Sequence, residues 1–117
     1  MDDSETTLMQ LKELVGCFVS ERDWGKYHNP KNLSMSVGIE TAELMELFQW
    51  IDGQEITDFL KTQDGRRKLK EELADIVIYC ISLANTCDLD LSEAIEEKIR
   101  KNSLKYPVNE FKGKYTK

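Results

Sequence analysis

The stretch Leu69-Lys70-Glu71-Glu72-Leu73-Ala74-Asp75-Ile76-Val77-Ile78-Tyr79-Cys80-Ile81-Ser82-Leu83-Ala84-Asn85-Thr86-Cys87 decides the fold. It holds no proline or glycine. Taken at roughly 100° per residue with Leu69 as zero, Leu73, Ile76, Val77, Cys80, Leu83, Ala84 and Cys87 fill one arc from roughly 320° to 80°. That wide apolar arc predicts a largely buried helix over about residues 66–86. Two acids flank the arc. Glu72 falls near 300° and Asp75 near 240°, with Tyr79 between them at about 280°. Glu71, near 200°, points away to solvent.

The segment upstream repeats this arrangement. With Val37 as zero, Leu33, Leu44, Leu47, Phe48 and Ile51 form the apolar arc of a helix that Asn32 can cap and that runs to about Ile51. Glu40 falls inside that arc near 300°, and Glu43 lies at its edge near 240°. A first helix is expected over about residues 5–22, where Leu11, Leu14, Val15 and Phe18 recur at helical spacing. A polar, aromatic loop follows it, Asp23 to Lys31. Gly53 and Gly65 read as breaks around a short helical piece at 55–62. Asp90 with Glu93 resembles a capping box and opens a last helix that ends near Lys105, before Pro107. Residues 108–117 read as a loose tail. No segment alternates with period two, so strands are not expected. The reading is all-α: a four-helix bundle in a single domain over 1–117, with its core at about 5–107.

The totals narrow the function. The chain has 117 residues and a net charge of −6. An acidic surface disfavours a nucleic-acid backbone or an anionic membrane as partner. No apolar run approaches the roughly 20 residues of a membrane span, and the acidic start MDDSETTLMQ is no signal peptide. A cytoplasmic protein is expected. Cys17, Cys80 and Cys87 match no zinc spacing and read as reduced core residues.

Four acids placed beside apolar stripes call for compensation. Two carboxylates about 4 Å apart repel by about 4 kcal/mol at an effective dielectric near 20. Basic residues of a neighbouring helix could neutralise them. The alternative is a hard divalent cation, Mg²⁺ or Mn²⁺, for which all-oxygen ligation is suited. A di-iron bundle would need paired Glu-x-x-His motifs, and the one histidine, His28, lies in a loop. In the last helix Lys98, Asn102 and Lys105 fall on the same face as Ala94, Ile95 and Ile99. They are either snorkelling stems or groups aimed at phosphate oxygens.

Glu40-x-x-Glu43 followed by Glu72-x-x-Asp75 resembles the signature of the all-α nucleoside triphosphate pyrophosphohydrolases, the MazG-like superfamily. Further stretches are similar to its dCTP pyrophosphatase branch: Glu21-Arg22-Asp23-Trp24, His28-x-Pro30-Lys31-Asn32-Leu33, Glu43-Leu44-x-Glu46-Leu47-Phe48-Gln49-Trp50 and Glu71-Glu72-Leu73-x-Asp75-Ile76-x-Ile78-Tyr79. Lys98 and the Asn102–Pro107 segment match as well, so the likeness runs from about Phe18 to Pro107. Lys31 stands where the family usually has arginine, which keeps the charge but loses bidentate geometry.

The resemblance implies that Glu40, Glu43, Glu72 and Asp75 hold Mg²⁺, with Mn²⁺ as a possible substitute. It implies attack of water at the α-phosphorus of a nucleoside triphosphate. Lys98 and Lys105 would hold phosphates, and Trp24, His28, Trp50, Tyr79 and Asn102 would shape the base and sugar pocket. It also implies a homo-oligomer, a tetramer built as a dimer of dimers. dCTP and its 5-substituted analogues are the expected substrates, with Asn102 offering donors and an acceptor to a pyrimidine edge. The competing expectation is a catalytically silent helical interaction module that has kept the bundle.

Overall fold

A computed structural model of the chain describes residues 1–114. These residues are helical, with no strand among them: α1 (Leu8–Glu21), a single 3₁₀ turn (Gly25–Tyr27), α2 (Pro30–Glu46), α3 (Gly53–Lys61), α4 (Gln63–Thr86), α5 (Leu91–Lys105) and α6 (Val108–Phe111). They fall into two compact units, Met1–Cys87 and a second that begins at Asp88. None of the helices is long and apolar enough to cross a membrane.

Side-chain caps set most of the boundaries. Thr7 and Gln10 form a reciprocal capping box on α1: the Thr7 hydroxyl accepts from the Gln10 amide at 3.1 Å, and the Gln10 side chain accepts from the Thr7 amide at 2.8 Å. At α2 the cap is Asn29 rather than the expected Asn32. Its side chain accepts from the Asn32 amide at 2.9 Å, and Pro30 takes the first helical position, where its missing N–H costs nothing. Asn32 instead donates to the Tyr27 carbonyl at 2.9 Å and fastens the preceding loop. Asp90 caps α5 by accepting from the Glu93 amide at 2.9 Å.

α2 stops at Glu46, earlier than the expected Ile51. The amides of Leu47, Phe48 and Ile51 donate three residues back, to Leu44, Met45 and Phe48, so the chain tightens out of the α-helix. Phe48 then meets Phe59 of α3 edge-to-face at 5.5 Å.

Gly65 is not a break. It is buried in the first turn of α4, where a Cβ would stand 2.0 Å from the Phe59 carbonyl oxygen. The corner falls at Thr62, whose hydroxyl accepts from the Gly65 amide at 2.9 Å and donates to the Phe59 carbonyl at 2.7 Å.

In the first unit α4 is the central rod, packed against α1, α2 and α3. Leu33, Val15, Ile81 and Ala84 are buried, and so is Ser82. The side chain of Asn85 on α4 donates to the Lys12 carbonyl of α1 at 3.0 Å. Much of the apolar arc expected to be buried is open in the single chain, however. Leu14 and Phe18 of α1 and Val77 and Ile78 of α4 are all exposed, and they line an apolar groove of about 520 Å³. The three cysteines are free, as expected, but Cys17 and Cys87 are exposed and Cys80 half-buried, so they are not core residues in this chain.

The second unit holds α5 and α6. The expected loose tail contains one helical turn, α6, which starts after Pro107, and Phe111 packs edge-to-face on Tyr106 at 5.2 Å. Residues 115–117 of that tail lie outside the described residues.

Candidate metal and nucleotide site

α2 and α4 pack side by side, and each carries its acidic pair on the shared side. Carboxylate oxygens of Glu40, Glu43 and Glu72 lie within 4.8 Å of one another. Asp75 completes the group electrostatically, because its charge acts on both Glu40 and Glu72.

Two consequences of this crowding are visible. Burial, the hydrogen-bonding approach of the Glu43 carboxyl and the charges of Glu43, Asp75 and Glu72 push the Glu40 carboxyl up to about 7. Burial and the same Glu43 neighbour also raise Glu72, with added repulsion from Asp75 and Glu71. In addition, Glu40 Oε2 and Glu72 Oε2 are buried and have no hydrogen-bond partner. A buried carboxylate oxygen without a partner costs on the order of several kcal/mol.

Basic side chains do not relieve it. Among the described residues Arg67 pairs with Asp64 and Glu71, Lys68 with Asp64 and Arg100 with Glu96, and none of the four clustered acids is in an ion pair. Uncompensated oxygens from several carboxylates converging on one point are the donor set of a hard divalent cation. The residues therefore fit such an ion.

The other expected site residues are distributed along the molecule. Tyr79 is half-buried on α4, one turn beyond Asp75. His28 lines a pocket of about 440 Å³ together with Asp23, Ser82 and Asn85. Trp24 packs edge-to-face on Phe18 at 5.7 Å, and the Arg22 guanidinium lies 3.8 Å above the Phe18 ring. Trp50, in the turn after α2, is 85% exposed. Lys98, Asn102 and Lys105 lie four and three residues apart on α5, in the second unit. There Asn102 is half-buried and the Lys105 ammonium lies 5.5 Å from the Tyr106 ring centre. Ser82 and Asn85, which line this pocket, were not among the expected site residues. The signal was present: Ser82 is a lone hydroxyl in the apolar run Ile81-Ser82-Leu83-Ala84.

The description of the MazG-like family matches residues 35–117 of this sequence. The chain belongs to the MazG-like family. It is 40% identical to dCTP pyrophosphatase 1 of Bos taurus over 116 residues, 97% of this chain and 69% of that protein. The mouse dCTP pyrophosphatase 1 is 39% identical over 115 residues, 96% of this chain and 68% of that protein. Among solved structures, a pyrophosphatase from Archaeoglobus fulgidus superposes with a TM-score of 0.80 at 36% identity, covering 92% of this chain and 98% of that one.

Proposed function

We propose that this MazG-like chain hydrolyses a nucleoside triphosphate to the monophosphate and pyrophosphate. Its best substrate would be dCTP or a modified dCTP, and its role control or housecleaning of the cytoplasmic nucleotide pool. The observation that carries the reading is the four-carboxylate cluster with two buried, unpartnered oxygens and no basic neutraliser among the described residues. The likeness to dCTP pyrophosphatases supports the choice of substrate.

Glu40, Glu43, Glu72 and Asp75 would hold Mg²⁺, or Mn²⁺ in its place. A bound divalent ion supplies charge neutralisation on the phosphates and a more acidic water. The reaction forms a bond from a water oxygen to the α-phosphorus and breaks the bond to the α–β bridging oxygen, so pyrophosphate leaves as one piece. Binding of the ion would displace the proton that crowding otherwise holds on Glu40 near neutrality. Lys98 and Lys105 take phosphate charge. Trp24, His28, Trp50, Tyr79 and Asn102 serve the nucleoside.

The proposal includes a homo-oligomer, a tetramer with sites at subunit boundaries. The open apolar groove between α1 and α4 and the exposed Trp50 are the surfaces that support it. The test is pyrophosphate release from a panel of ribo- and deoxynucleoside triphosphates with Mg²⁺. Release from dCTP above the other nucleotides is expected, and no release from any nucleotide rejects the reading.

A further inference from the structure

The charges of this chain are sorted along it. Residues 1–97 hold nine lysines and arginines against twenty-one acids, and residues 98–117 hold seven against one, Glu110. A stretch of +6 therefore follows one of −12. A nucleoside triphosphate is a polyanion, so most of the chain repels it as it approaches, and a region of the opposite sign is needed to draw it in.

The described part of the basic stretch is built rather than loose. α5 ends at Lys105, and the edge-to-face pair of Tyr106 and Phe111 folds the chain back beside that end. The Lys112 amide donates to the Val108 carbonyl at 2.9 Å, and the Lys114 amide to the Phe111 carbonyl at 2.8 Å. Between them Gly113 takes a left-handed backbone, φ +76°, which glycine adopts without strain. Lys105, Lys112 and Lys114 are thus exposed beside one aromatic pair. Among the described residues none of the three is in an ion pair, nor is Lys101. The negative end of the α5 dipole accounts for Lys105. Lys112 and Lys114 follow a helix of only four residues, whose dipole is too slight to account for them.

We infer that the turn carrying Lys112 and Lys114 captures the polyphosphate chain of the incoming nucleotide and speeds its uptake. The inference rests on the nucleotide-hydrolase reading above, which puts phosphate charge on Lys105. Lys112 and Lys114 widen that positive surface. They act on encounter and binding, not on the bond-breaking step, and salt screens their attraction because all of them are exposed.

The test is hydrolysis of dCTP by the full chain with Mg²⁺, from low ionic strength to about 1 M salt. It compares the wild type with the double variants Lys112→Ser, Lys114→Ser and Lys112→Arg, Lys114→Arg. It is paired with NMR at the Gly113 amide in EDTA on adding inorganic tripolyphosphate, a probe with no base and no turnover. The serine pair is expected to lower kcat/KM about tenfold at low ionic strength with kcat unchanged. The gap to the wild type should close at about 1 M salt, where the Debye length is about 3 Å. The arginine pair keeps the charge and should keep the wild-type kcat/KM. Gly113 should move with tripolyphosphate in the wild type and stay still in the serine pair. An unchanged kcat/KM in the serine pair, an arginine pair as slow as the serine pair, or a loss that salt does not close overturns the inference and leaves the hydrolase reading standing. Salt-sensitive retention of a single-stranded oligonucleotide that the serine pair loses at unchanged kcat/KM also overturns it, in favour of nucleic acid. A wild type that hydrolyses no nucleotide while Gly113 still moves overturns the hydrolase reading and keeps the polyphosphate-binding turn.

Discussion

Glu40→Gln should stabilise the metal-free protein at neutral pH and remove its response to Mg²⁺. In the folded chain the Glu40 carboxyl is pushed up to about 7 from an ordinary 4.5. Between those two values the folded chain holds a proton that the unfolded chain has lost. Stability of the metal-free protein is therefore highest below the unfolded value and declines as pH rises through that window. Unscreened, the interval is worth about 3 kcal/mol, and partial exposure to solvent reduces it to about 1 kcal/mol. Glutamine keeps the shape and cannot ionise, so the variant escapes the decline. For a domain of this size about 1 kcal/mol corresponds to a Tm difference of about 4 °C. Scanning calorimetry in EDTA at half-unit steps from pH 4 to pH 8, wild type against variant, reads the difference made by removing one acid from the coupled cluster. The two curves should converge below pH 4.5 and separate towards pH 8 with the variant higher. On adding Mg²⁺ at pH 8 the wild type should rise past the variant. A variant less stable than the wild type in EDTA at pH 8, or a difference that does not change with pH, would refute the reasoning.

Glu43→Ala and Asp75→Ala should each lose at least about a hundredfold in kcat with the helical circular-dichroism signal intact, because removing one of several crowded acids relieves repulsion. Near-native turnover of either in saturating Mg²⁺ rejects its assignment as a ligand. With a γ-labelled triphosphate the label should appear only in pyrophosphate, and labelled orthophosphate would mean attack at a different phosphorus. Gly65→Ala should cost about 2 kcal/mol or more, because the new Cβ would collide with the Phe59 carbonyl, and a Tm within a degree of wild type contradicts that packing. Light scattering at micromolar concentration should report a mass several times the 13.6 kDa of one chain.

What could be read from the sequence depended on range. The acidic pairs were legible because each lies within one helix, and a 100° step fixes their direction relative to the apolar arc. Two helices with acids on the core flank can bury them only against each other, so the Glu40–Glu43–Glu72 cluster follows from two local readings. The misread positions were decided by contacts made elsewhere. Asn29 and Asn32 are both acceptable caps by type, and Pro30 separates them only when it is recognised as a first helical residue. Gly65 looks like a break because glycine usually is one, whereas here its absent side chain makes room for Phe59. α2 ends early because Phe48 turns to meet Phe59, eleven residues on. The pocket that Ser82 lines needed the α1 wall, which no reading of α4 alone supplies.

The corner at Thr62 constrains motion. One hydroxyl ties the end of α3 to the start of α4 on both its lone-pair and its proton side, and the space around Gly65 is filled to contact. Such a joint has no slack, so α3 and α4 move as one lever. The other end of α3 is built differently: its cap residue, Asp52, makes no side-chain hydrogen bond to the helix, and Gly53 adopts a left-handed backbone with nothing near its Cβ position. Between α2 and α4, where a swing would spread or gather the carboxylates, residues 52–53 are the least restrained joint by side-chain contacts.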